Sequence, residues 1–540
     1  MLSLSRRLVL IAAIASPGLL AQAPSHATQL NPTTQQLAPR LLQHGDYVHA
    51  FGLNSTAIYH ARSSDGGRTW PLREQSLGAF TVGFYGGQAP PAAAYTGPGQ
   101  LLVLGEDDLL GPRIVRSTDL GSTWSAPVSV ASTAIPQFTP MRPAMYVDGP
   151  NVVVVWTNDR SNGRVFCNRS TDGGVTWQAT DTVLDVTFTS SMPAIDQLHV
   201  VGHGAIVNVF WYDYTLRQQR SVDGGATWLP ATGSLVGVGN LANQRPGKAG
   251  AGSSSLALLV GSELVRSLDG GATWSVVSNH GLPRITDFAI DGDVVVVTGR
   301  DFNTWSPTLS ANVSGDQGGT WAANPLLIQP SWTLSVFPHA YVDAGNAYVN
   351  WEVVGYPGNV AYSDDVGISW QEIDGPVQVG FSPGNVRTIH TARTYTGGGL
   401  YDYFVYAGVG STVLGAATAG SGGIAPRLTT SGLPVRGHAT TVQMHDALGG
   451  SAAALAVSVG PPAAIPFGSA TIYLSTLDLL LSFATGGTAG QPGTGGFQFV
   501  VPVPNDPALV GSRLAAQAMS LDPGVPDGFA MSNAIEVWLR

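Results

Sequence analysis

The apolar positions of the chain fall in short runs that are separated by turn-forming residues. Residues 142–170 show the arrangement: RPAMYV, a turn at Asp148-Gly149, the run VVVVW at 152–156, a polar connection, and RVFCNRS at 164–170. Short runs bounded by Gly, Pro and Asp are typical of β-strands rather than helices. The pattern predicts four-stranded antiparallel meanders of roughly 50 residues, the unit from which β-propellers are built.

One eight-residue pattern, S-x-D-x-G-x-[ST]-W, occurs seven times between residues 63 and 370, and we call it the repeat motif. Its aspartates are 46–54 residues apart, so each copy matches one meander. They are Asp65, Asp119, Asp172, Asp223, Asp269, Asp316 and Asp365. The carboxylate can accept hydrogen bonds from the turn, the Gly supplies positive φ, and the Trp can fill space between neighbouring sheets. The motif therefore predicts a hairpin between the third and fourth strands, in which the aspartate has a structural role.

The repeat motif resembles the Asp-box, or BNR, repeat of the sialidase-like propellers, and the resemblance covers about residues 30–375. It implies an all-β chain in which residues 28–430 form a β-propeller of seven Asp-box blades. Candidate strands at 386–393, 401–408 and 411–418 form either an eighth, degenerate blade or a segment that closes the ring. Residues 431–540 lack the motif, and their strand candidates at 439–445, 452–459, 470–476, 497–503 and within 511–540 predict a small C-terminal β-sandwich-like domain.

Composition and charge narrow the cellular setting. The 68 Gly, 36 Pro and 11% charged residues fit many short strands joined by turns. A net charge of −10 with a single lysine, Lys248, argues against nucleic acid or an anionic membrane as a partner. Arg6 and Arg7 precede an apolar run at 8–15 and small residues up to Ala27, which predicts an export signal over residues 1–27. The mature protein is then expected to be secreted, periplasmic or at the cell surface, without a membrane span.

A ligand site is expected on the face opposite the repeat motifs, where the first strands start and the second strands connect to the third. Five arginines lie at the predicted starts of first strands: Arg40, Arg142, Arg245, Arg284 and Arg387. Their planar guanidinium groups suit a carboxylate ligand, although each could instead stabilise its own blade. No metal or cofactor motif accompanies them, so we predict neither a metal nor a cofactor.

Sialidases of the family that this chain resembles grip the substrate carboxylate with three arginines, and use a Tyr–Glu pair and an Asp in catalysis. The resemblance makes Asp107 or Asp108 the candidate acid/base and Glu352 the candidate glutamate. The family's Arg-Ile-Pro segment is absent, and the nearest arginines need a strand bulge to face the same way.

Three functions stay open, and the sequence does not decide the oligomeric state. The first is recognition of a glycan or another extracellular ligand, with catalysis unproven. The second is an active exo-α-sialidase or related glycoside hydrolase, and the third is a structural or protein-binding propeller.

Overall fold

The computed structural model describes most of the chain after residue 27. The described residues are 28–29, 37–44, 47–53, 57–64, 70–80, 91–107, 111–132, 143–158, 164–185, 196–300, 308–323, 325–328, 336–343, 346–353, 356–363, 366–368, 370–373, 380–382, 385–397, 400–431, 439–504, 506, 509 and 512–539. The chain divides into two compact units. The propeller unit contains Thr28–Gly380 and His390–Val405, and the C-terminal unit contains Phe381–Ile389 and Tyr406–Arg540. The predicted export signal lies outside the described residues.

Seven small antiparallel sheets follow one another between residues 37 and 373 of the described chain, and we number them sheets 1 to 7. Their strands pair in chain order, so each sheet is a meander. The short strand β1 (Thr28–Gln29) precedes them. Sheet 1 contains β2 (Leu37–His44), β3 (Tyr47–Leu53), β4 (Ala57–Ser63) and β5 (Leu72–Ala79), and sheet 2 contains β6 (Ala92–Gly97), β7 (Gln100–Asp107), β8 (Gly111–Ser117) and β9 (Val128–Ser129). Sheet 3 contains β10 (Ala144–Asp148), β11 (Asn151–Asn158), β12 (Arg164–Ser170) and β13 (Thr182–Val183).

The remaining four sheets repeat the arrangement. Sheet 4 contains β14 (Asp196–His203), β15 (Ile206–Tyr212) and β16 (Leu216–Ser221). Sheet 5 contains β17 (Pro246–Ala251), β18 (Leu256–Val260), β19 (Glu263–Ser267) and β20 (Ser275–Val276). Sheet 6 contains β21 (Ile285–Asp291), β22 (Val294–Arg300), β23 (Leu309–Ser314) and β24 (Leu326–Ile328). Sheet 7 contains β25 (Val336–Asp343), β26 (Asn346–Val353), β27 (Tyr356–Ser363) and β28 (Gln371–Ile373). In sheet 4 a single bridge between Gln218 and Thr232 stands where the others have a fourth strand.

The first strands of consecutive sheets contact one another in order, from β2 through β6, β10, β14, β17 and β21 to β25. Apolar clusters fill the spaces between consecutive sheets: Phe51 of sheet 1 packs with Val103 of sheet 2, and Leu104 of sheet 2 with Val154 of sheet 3. The same arrangement continues from sheet 3 to sheet 7. Face-to-face packing of successive meanders around their first strands is the architecture of a β-propeller. The predicted all-β propeller is confirmed.

Within the repeat motif, the polar groups of the turn satisfy one another. In sheet 3 the Ser170 hydroxyl donates to Asp172 Oδ1 (2.7 Å) and accepts from Gly174 N (2.8 Å), whose φ is 81°. The Thr176 amide and hydroxyl both donate to Asp172 (2.9 and 2.6 Å). The same set surrounds Asp119, Asp223, Asp269 and Asp316. Asp65 and Asp365 lie outside the described residues.

These hydrogen bonds fix the charge state of the motif. Burial alone would raise the pKa of the Asp172 carboxyl, but the bonds from Thr176, Ser170 and Val175 outweigh it and lower the pKa to about 2. The pKa values of the other four described motif aspartates are also lowered to about 2. The turn is therefore most stable with its carboxylate ionised.

The motif also joins each sheet to the one before it. Six of the seven motif tryptophans pack into the apolar cluster shared with the preceding sheet, and they are Trp124, Trp177, Trp228, Trp274, Trp321 and Trp370. An arginine directly before the motif serine donates to the motif of the next sheet. Arg116 Nε bonds Gly173 O (3.0 Å), and Arg220 Nε bonds Gly270 O (2.8 Å). Arg62 and Arg266 make the corresponding bonds to Ser122 Oγ and Gln317 O.

A buried histidine pair lies at the contact between sheets 1 and 2. His49 Nδ1 and His60 Nε2 are 3.0 Å apart, and His60 Nδ1 is 3.2 Å from Gln75 Oε1. Gly121 of the second motif, with φ 76°, lies so close that a Cβ there would come within 2.9 Å of both rings. Burial and, as the second cause, charge repulsion from His60 lower the pKa of His49 to about 3. Burial lowers the pKa of His60 to about 4. Both rings are therefore neutral at pH 7.

The C-terminal unit is a β-sandwich, as predicted. One sheet has the order β32 (Arg427–Ser431), β33 (Ala439–Ala447), β38 (Gly495–Pro502). The other contains, in order, β40 (Phe529–Trp538), β39 (Arg513–Leu521), β34 (Ala452–Val459) and β37 (Leu479–Ala484). A hairpin of β35 (Ile465–Phe467) and β36 (Ala470–Ile472) is separate. Leu428 and Met444 of the first sheet share a core with Leu455 and Ile535 of the second.

The segment predicted as an eighth blade or a closing segment forms β29 (Gly380–Ser382), β30 (Asn385–Gly397) and β31 (Leu400–Leu414). Residues 410–414 of β31 pair with β40, so they extend a sheet of the C-terminal unit. Phe404 and Val405 of β31 pair with β1 in the propeller unit. Within the described residues, no helix is long and apolar enough to cross a membrane.

Replacing Asp172 with Ala should lower the free energy of unfolding by about 1–2 kcal/mol, because the amides and hydroxyls of the turn lose a charged acceptor. The thermal unfolding midpoint measures this. Asp148→Ala, which removes an exposed carboxylate from another turn of the same sheet, is the matched control. Equal midpoints for the two variants would show that the motif carboxylate contributes nothing.

The histidine pair predicts an acid-sensitive propeller unit. In the unfolded chain both rings titrate near pH 6.5, whereas their pKa values in the folded state are about 3 and 4. Unfolding therefore takes up protons, and stability present above pH 6.5 is lost as the pH falls towards 4. The double variant His49→Leu/His60→Leu should lose less stability between pH 7.5 and 5 than the wild type. The exposed His203→Leu should behave like the wild type, and a double variant as acid-sensitive as the wild type would contradict the assignment.

Candidate functional site

Two parts of each meander lie on the face opposite the repeat motifs: the start of its first strand and the connection between its second and third strands. This follows because adjacent strands in each meander run antiparallel. On this face, three polar side chains from three consecutive first strands meet. Lys248 lies on β17, Asp287 on β21 and His339 on β25. We call these three residues the channel cluster, since the strands that carry them are the innermost strands of sheets 5 to 7.

Asp287 is the centre of the channel cluster. Its Oδ1 lies 2.9 Å from Lys248 Nζ, and its Oδ2 lies 3.6 Å from His339 Nδ1. The backbone amides of Phe288 and Ala340 also donate to the carboxylate, at 2.8 and 3.1 Å. The carboxylate thus ties its own strand to both neighbouring first strands.

Burial and charge set the state of this carboxylate. The Asp287 side chain is 13% exposed, whereas those of Lys248 and His339 are 43% and 46% exposed. Burial alone would raise the pKa of Asp287, but His339, Lys248 and the Ala340 amide together hold it below its ordinary value. The cluster therefore consists of a buried anion covered by two half-exposed groups that solvent can reach.

Strand bulges place Lys248 and Asp287, whereas β25 pairs without interruption around His339. The pairing of β17 is interrupted between Pro246 and Lys248, and that of β21 between Ile285 and Asp287. The residues that resume pairing after a bulge in the first strands of sheets 1 and 4 are also titratable: Arg40 and His199. A bulge adds one residue to a strand and so changes the side of the sheet on which the following side chains lie.

A second group of side chains lies where sheets 4 and 5 meet on the same face. The guanidinium of Arg245 stands 5.5 Å from the ring centre of Tyr212, whose hydroxyl donates to Asn243 O (3.3 Å). Tyr214, in the connection between β15 and β16, is 55% exposed and has a φ of 74°. Positive φ is uncommon for a large residue, so the connection holds this ring outward at a conformational cost.

The structure describes the five predicted arginines to different extents. Arg245 and Arg284 are exposed and directly precede the adjacent first strands β17 and β21, on the predicted face. Arg40 lies in β2 and Arg387 in β30, and only their backbone positions are described. Arg142 lies outside the described residues. A clamp formed by all five arginines stays a prediction.

The predicted acidic residues Asp107, Asp108 and Glu352 differ in how much of their surroundings the structure describes, and their catalytic role stays a prediction. Asp107 ends β7 with a side chain that is 3% exposed, and it pairs with Arg113 at 3.1 Å. Arg113 also donates to Pro127 O (3.0 Å), so this pair ties together the strands of sheet 2. Glu352 lies within β26, opposite Phe337, rather than in the predicted connection. Asp108 lies outside the described residues.

Sequence analysis did not identify Lys248 or Asp287 as site residues. The available signal was a charge inside an otherwise apolar first strand, as in PGKAGA and ITDFAID. Among the described side chains, no group of three His, Cys, Asp or Glu is arranged to hold a metal ion. Cys167 is free and buried, and burial raises the pKa of its thiol.

Comparisons with known proteins give only distant likenesses. No family model matches the chain, and no curated protein matches it. Among solved structures, it is similar to YCF48 from Cyanidioschyzon merolae (14% identity, 58% of this chain and 94% of that chain, TM-score 0.34). It is also similar to polysaccharide lyase Uly1 (10%, 68% and 89%, 0.36) and to a fucose-specific lectin from Aleuria aurantia (14%, 56% and 99%, 0.31). Likenesses this distant carry no argument about what this chain binds.

Replacing Lys248 with Met should lower the thermal unfolding midpoint at pH 7, because the half-buried Asp287 carboxylate loses its cation. A carboxyl whose pKa is lowered by folding contributes stability at neutral pH, and this contribution is lost as the pH falls below 4. The difference between Lys248→Met and the wild type should therefore shrink at pH 3. Lys248→Arg, which keeps the charge, is the control. A difference that is equal at both pH values would assign the effect instead to the lost cation–π contact between Lys248 Nζ and the Phe288 ring, whose centre is 5.9 Å away.

Proposed function

We propose that the propeller unit recognises an anionic extracellular glycan on the face opposite the repeat motifs, at the channel cluster and the arginines beside it. The observation that carries this proposal is a concentration of cations where the first strands of sheets 5 and 6 begin. Arg245, Lys248 and Arg284 lie there, together with one buried carboxylate, Asp287. A protein with a net charge of −10 needs such a local excess of positive charge to hold an acidic ligand.

Lys248 suits the role of a ligand donor. Its ammonium group has three N–H donors, and one of them is directed to Asp287 at 2.9 Å. Because the side chain is 43% exposed, its remaining donors can reach a carboxylate or sulfate from solvent. The bond to Asp287 holds the amine in place before the ligand arrives, which reduces the entropy lost on binding.

The aromatic residues favour a sugar over a simple anion. Tyr214 offers an exposed ring and Tyr212 a ring already stacked with Arg245, on the same face as the channel cluster. An aromatic face can pack against the apolar side of a pyranose while nearby cations pair with its acidic group. Strain at Tyr214, with its φ of 74°, fits a residue retained for binding.

Binding is favoured over hydrolysis by the state of the acidic residues. Asp107, Asp213 and Asp287, three carboxylates of this face, each pair with a cation at 2.9–3.1 Å. Each of these carboxylates already has an oxygen bound to a cation of the protein, so it is less free to approach a substrate. An active exo-α-sialidase, with Asp107 or Asp108 as acid/base and Glu352 as the catalytic glutamate, is the alternative.

Kinship with the sialidase-like Asp-box propellers is part of the proposal. The self-satisfied turn around Asp172 and its counterparts supports it, because it gives the resemblance in sequence a matching geometry. Export through the signal predicted at 1–27 would bring this face into contact with glycans outside the cytoplasm.

Arg245→Ala, Arg284→Ala and Lys248→Met should each weaken binding of a sialylated or uronic-acid glycan roughly tenfold or more, since each removes a cation from the acidic group. Glycan-array screening followed by calorimetry measures this on the full chain. Arg73→Ala, which removes an exposed arginine from the fourth strand of sheet 1, is the matched control. Equal affinity for the acidic glycan and its neutral counterpart would overturn the proposal. Turnover of a fluorogenic sialoside by the wild type would favour the hydrolase instead.

A further inference from the structure

The C-terminal unit encloses a cavity of about 130 Å³ between its two sheets. Val442, Phe499 and Val501 line it from the three-stranded sheet, and Leu455, Leu481 and Ile535 line it from the other. Apart from the hydroxyls of two residues, Thr440 and Ser512, the side chains of the lining are apolar. This cavity belongs to the C-terminal unit alone and is independent of the proposed glycan site.

A void of this size is large for a protein core. Interiors are packed as densely as organic crystals, and side chains that line an empty space lose the dispersion contacts that neighbours would supply. An apolar cavity of about 150 Å³ stays free of water and takes up benzene. The cavity is therefore large enough for an aromatic ring or a short alkyl chain, and its lining repels water.

The exposure of the lining residues shows where the cavity opens. Leu455, Ala516 and Ile535, on the inner strands, are at most 6% exposed. Leu479, Leu481 and Phe499, on the edge strands β37 and β38, are only half-buried. Phe483, Phe497 and Phe499 pack together across these two edges, with ring centres 4.3–5.3 Å apart.

The opposite side of the sandwich is closed by polar contacts. There the Asn533 side chain accepts from the Leu428 amide (3.0 Å) and donates to the Leu428 carbonyl (2.8 Å), which ties β40 to β32. A ligand would thus enter between β37 and β38, where flexible apolar side chains are in contact rather than a pair of hydrogen bonds.

Ser512 supplies the one specific polar group. The residue is 8% exposed, and its Oγ is buried without a hydrogen-bond partner in the described part of the chain. A buried hydroxyl without a partner is costly, and native proteins usually satisfy such groups with protein, water or ligand. In an apolar cavity, a ligand hydroxyl is the group that would satisfy Ser512 without bringing water in.

We propose that the cavity is a binding site for a small apolar molecule, an aromatic ring or a short alkyl chain, that carries one hydroxyl group placed against Ser512. The enclosed volume and the apolar lining select the hydrocarbon part, and the Ser512 hydroxyl selects its polar end. This site would give the C-terminal unit a ligand of its own, unlike the acidic glycan proposed for the propeller unit.

Benzene and phenol form a matched pair of probes for calorimetric titration of the full chain, because they differ only in the hydroxyl. The wild type should bind phenol roughly fivefold more tightly than benzene, as expected for one additional hydrogen bond. Ser512→Ala should remove this preference and leave the affinity for benzene within about twofold. A wild type without the preference, or a Ser512→Ala variant that keeps it, would contradict the role of Ser512.

Ala516→Leu, which fills the cavity from its floor, should weaken both probes at least tenfold. Val500→Leu, which adds bulk to a 58% exposed position on β38, should bind both like the wild type. Thermal unfolding confirms that each variant is folded. If neither probe binds the wild type, the proposal fails. It also fails if size-exclusion chromatography shows a dimer that only Ala516→Leu abolishes, because the cavity then accommodates a second copy rather than a small molecule.

Discussion

The contact between one sheet and the motif of the next is the interaction on which the propeller unit depends. In each of the five described motif turns the serine, aspartate and threonine bond one another and the turn backbone, as Ser170, Asp172 and Thr176 do in sheet 3. A turn that needs no outside partner can present its tryptophan and its backbone carbonyls to the preceding sheet. The preceding sheet packs apolar side chains against the tryptophan, and its arginine donates a hydrogen bond to a backbone carbonyl, as Arg116 does to Gly173 O. Single meanders would leave both faces exposed, so this repeated contact makes them into one fold.

Much of this fold could be predicted, because the information is local. Five fixed motif positions at a nearly constant spacing specify both the hairpin and the approximate length of each meander. The strand predicted over 452–459 coincides with β34, for the same reason of clear bounding turns. In contrast, β37 was not predicted, since five of the six residues of LLLSFA are apolar and show no clear alternation. Its alternation of half-buried and exposed residues appears only once it pairs with β34 at the edge of a sandwich.

The candidate site was predictable only in part, because it depends on register. Topology alone places Arg245 and Arg284 on the face opposite the motifs, and the structure agrees. The pairing of Lys248 with Asp287 depends on bulges in two different first strands, which leave no mark that a single sequence reveals. Asp107 shows the reverse case. It stands at the predicted end of a strand, yet Arg113 on the neighbouring strand takes up its carboxylate.

The fold itself does not need a charge where the channel cluster lies. Sheet 3 carries Ala144 four residues before its first strand ends at Asp148, whereas sheets 6 and 7 carry Asp287 and His339 four residues before theirs end at Asp291 and Asp343. The three sheets build the same meander and pack on their neighbours in the same way. Burying Asp287 has a desolvation cost that an alanine avoids, and Lys248, His339 and the Ala340 amide together outweigh it. The charge at this position is therefore not required to build the meander, and the proposal of an acidic ligand is what would give it a role.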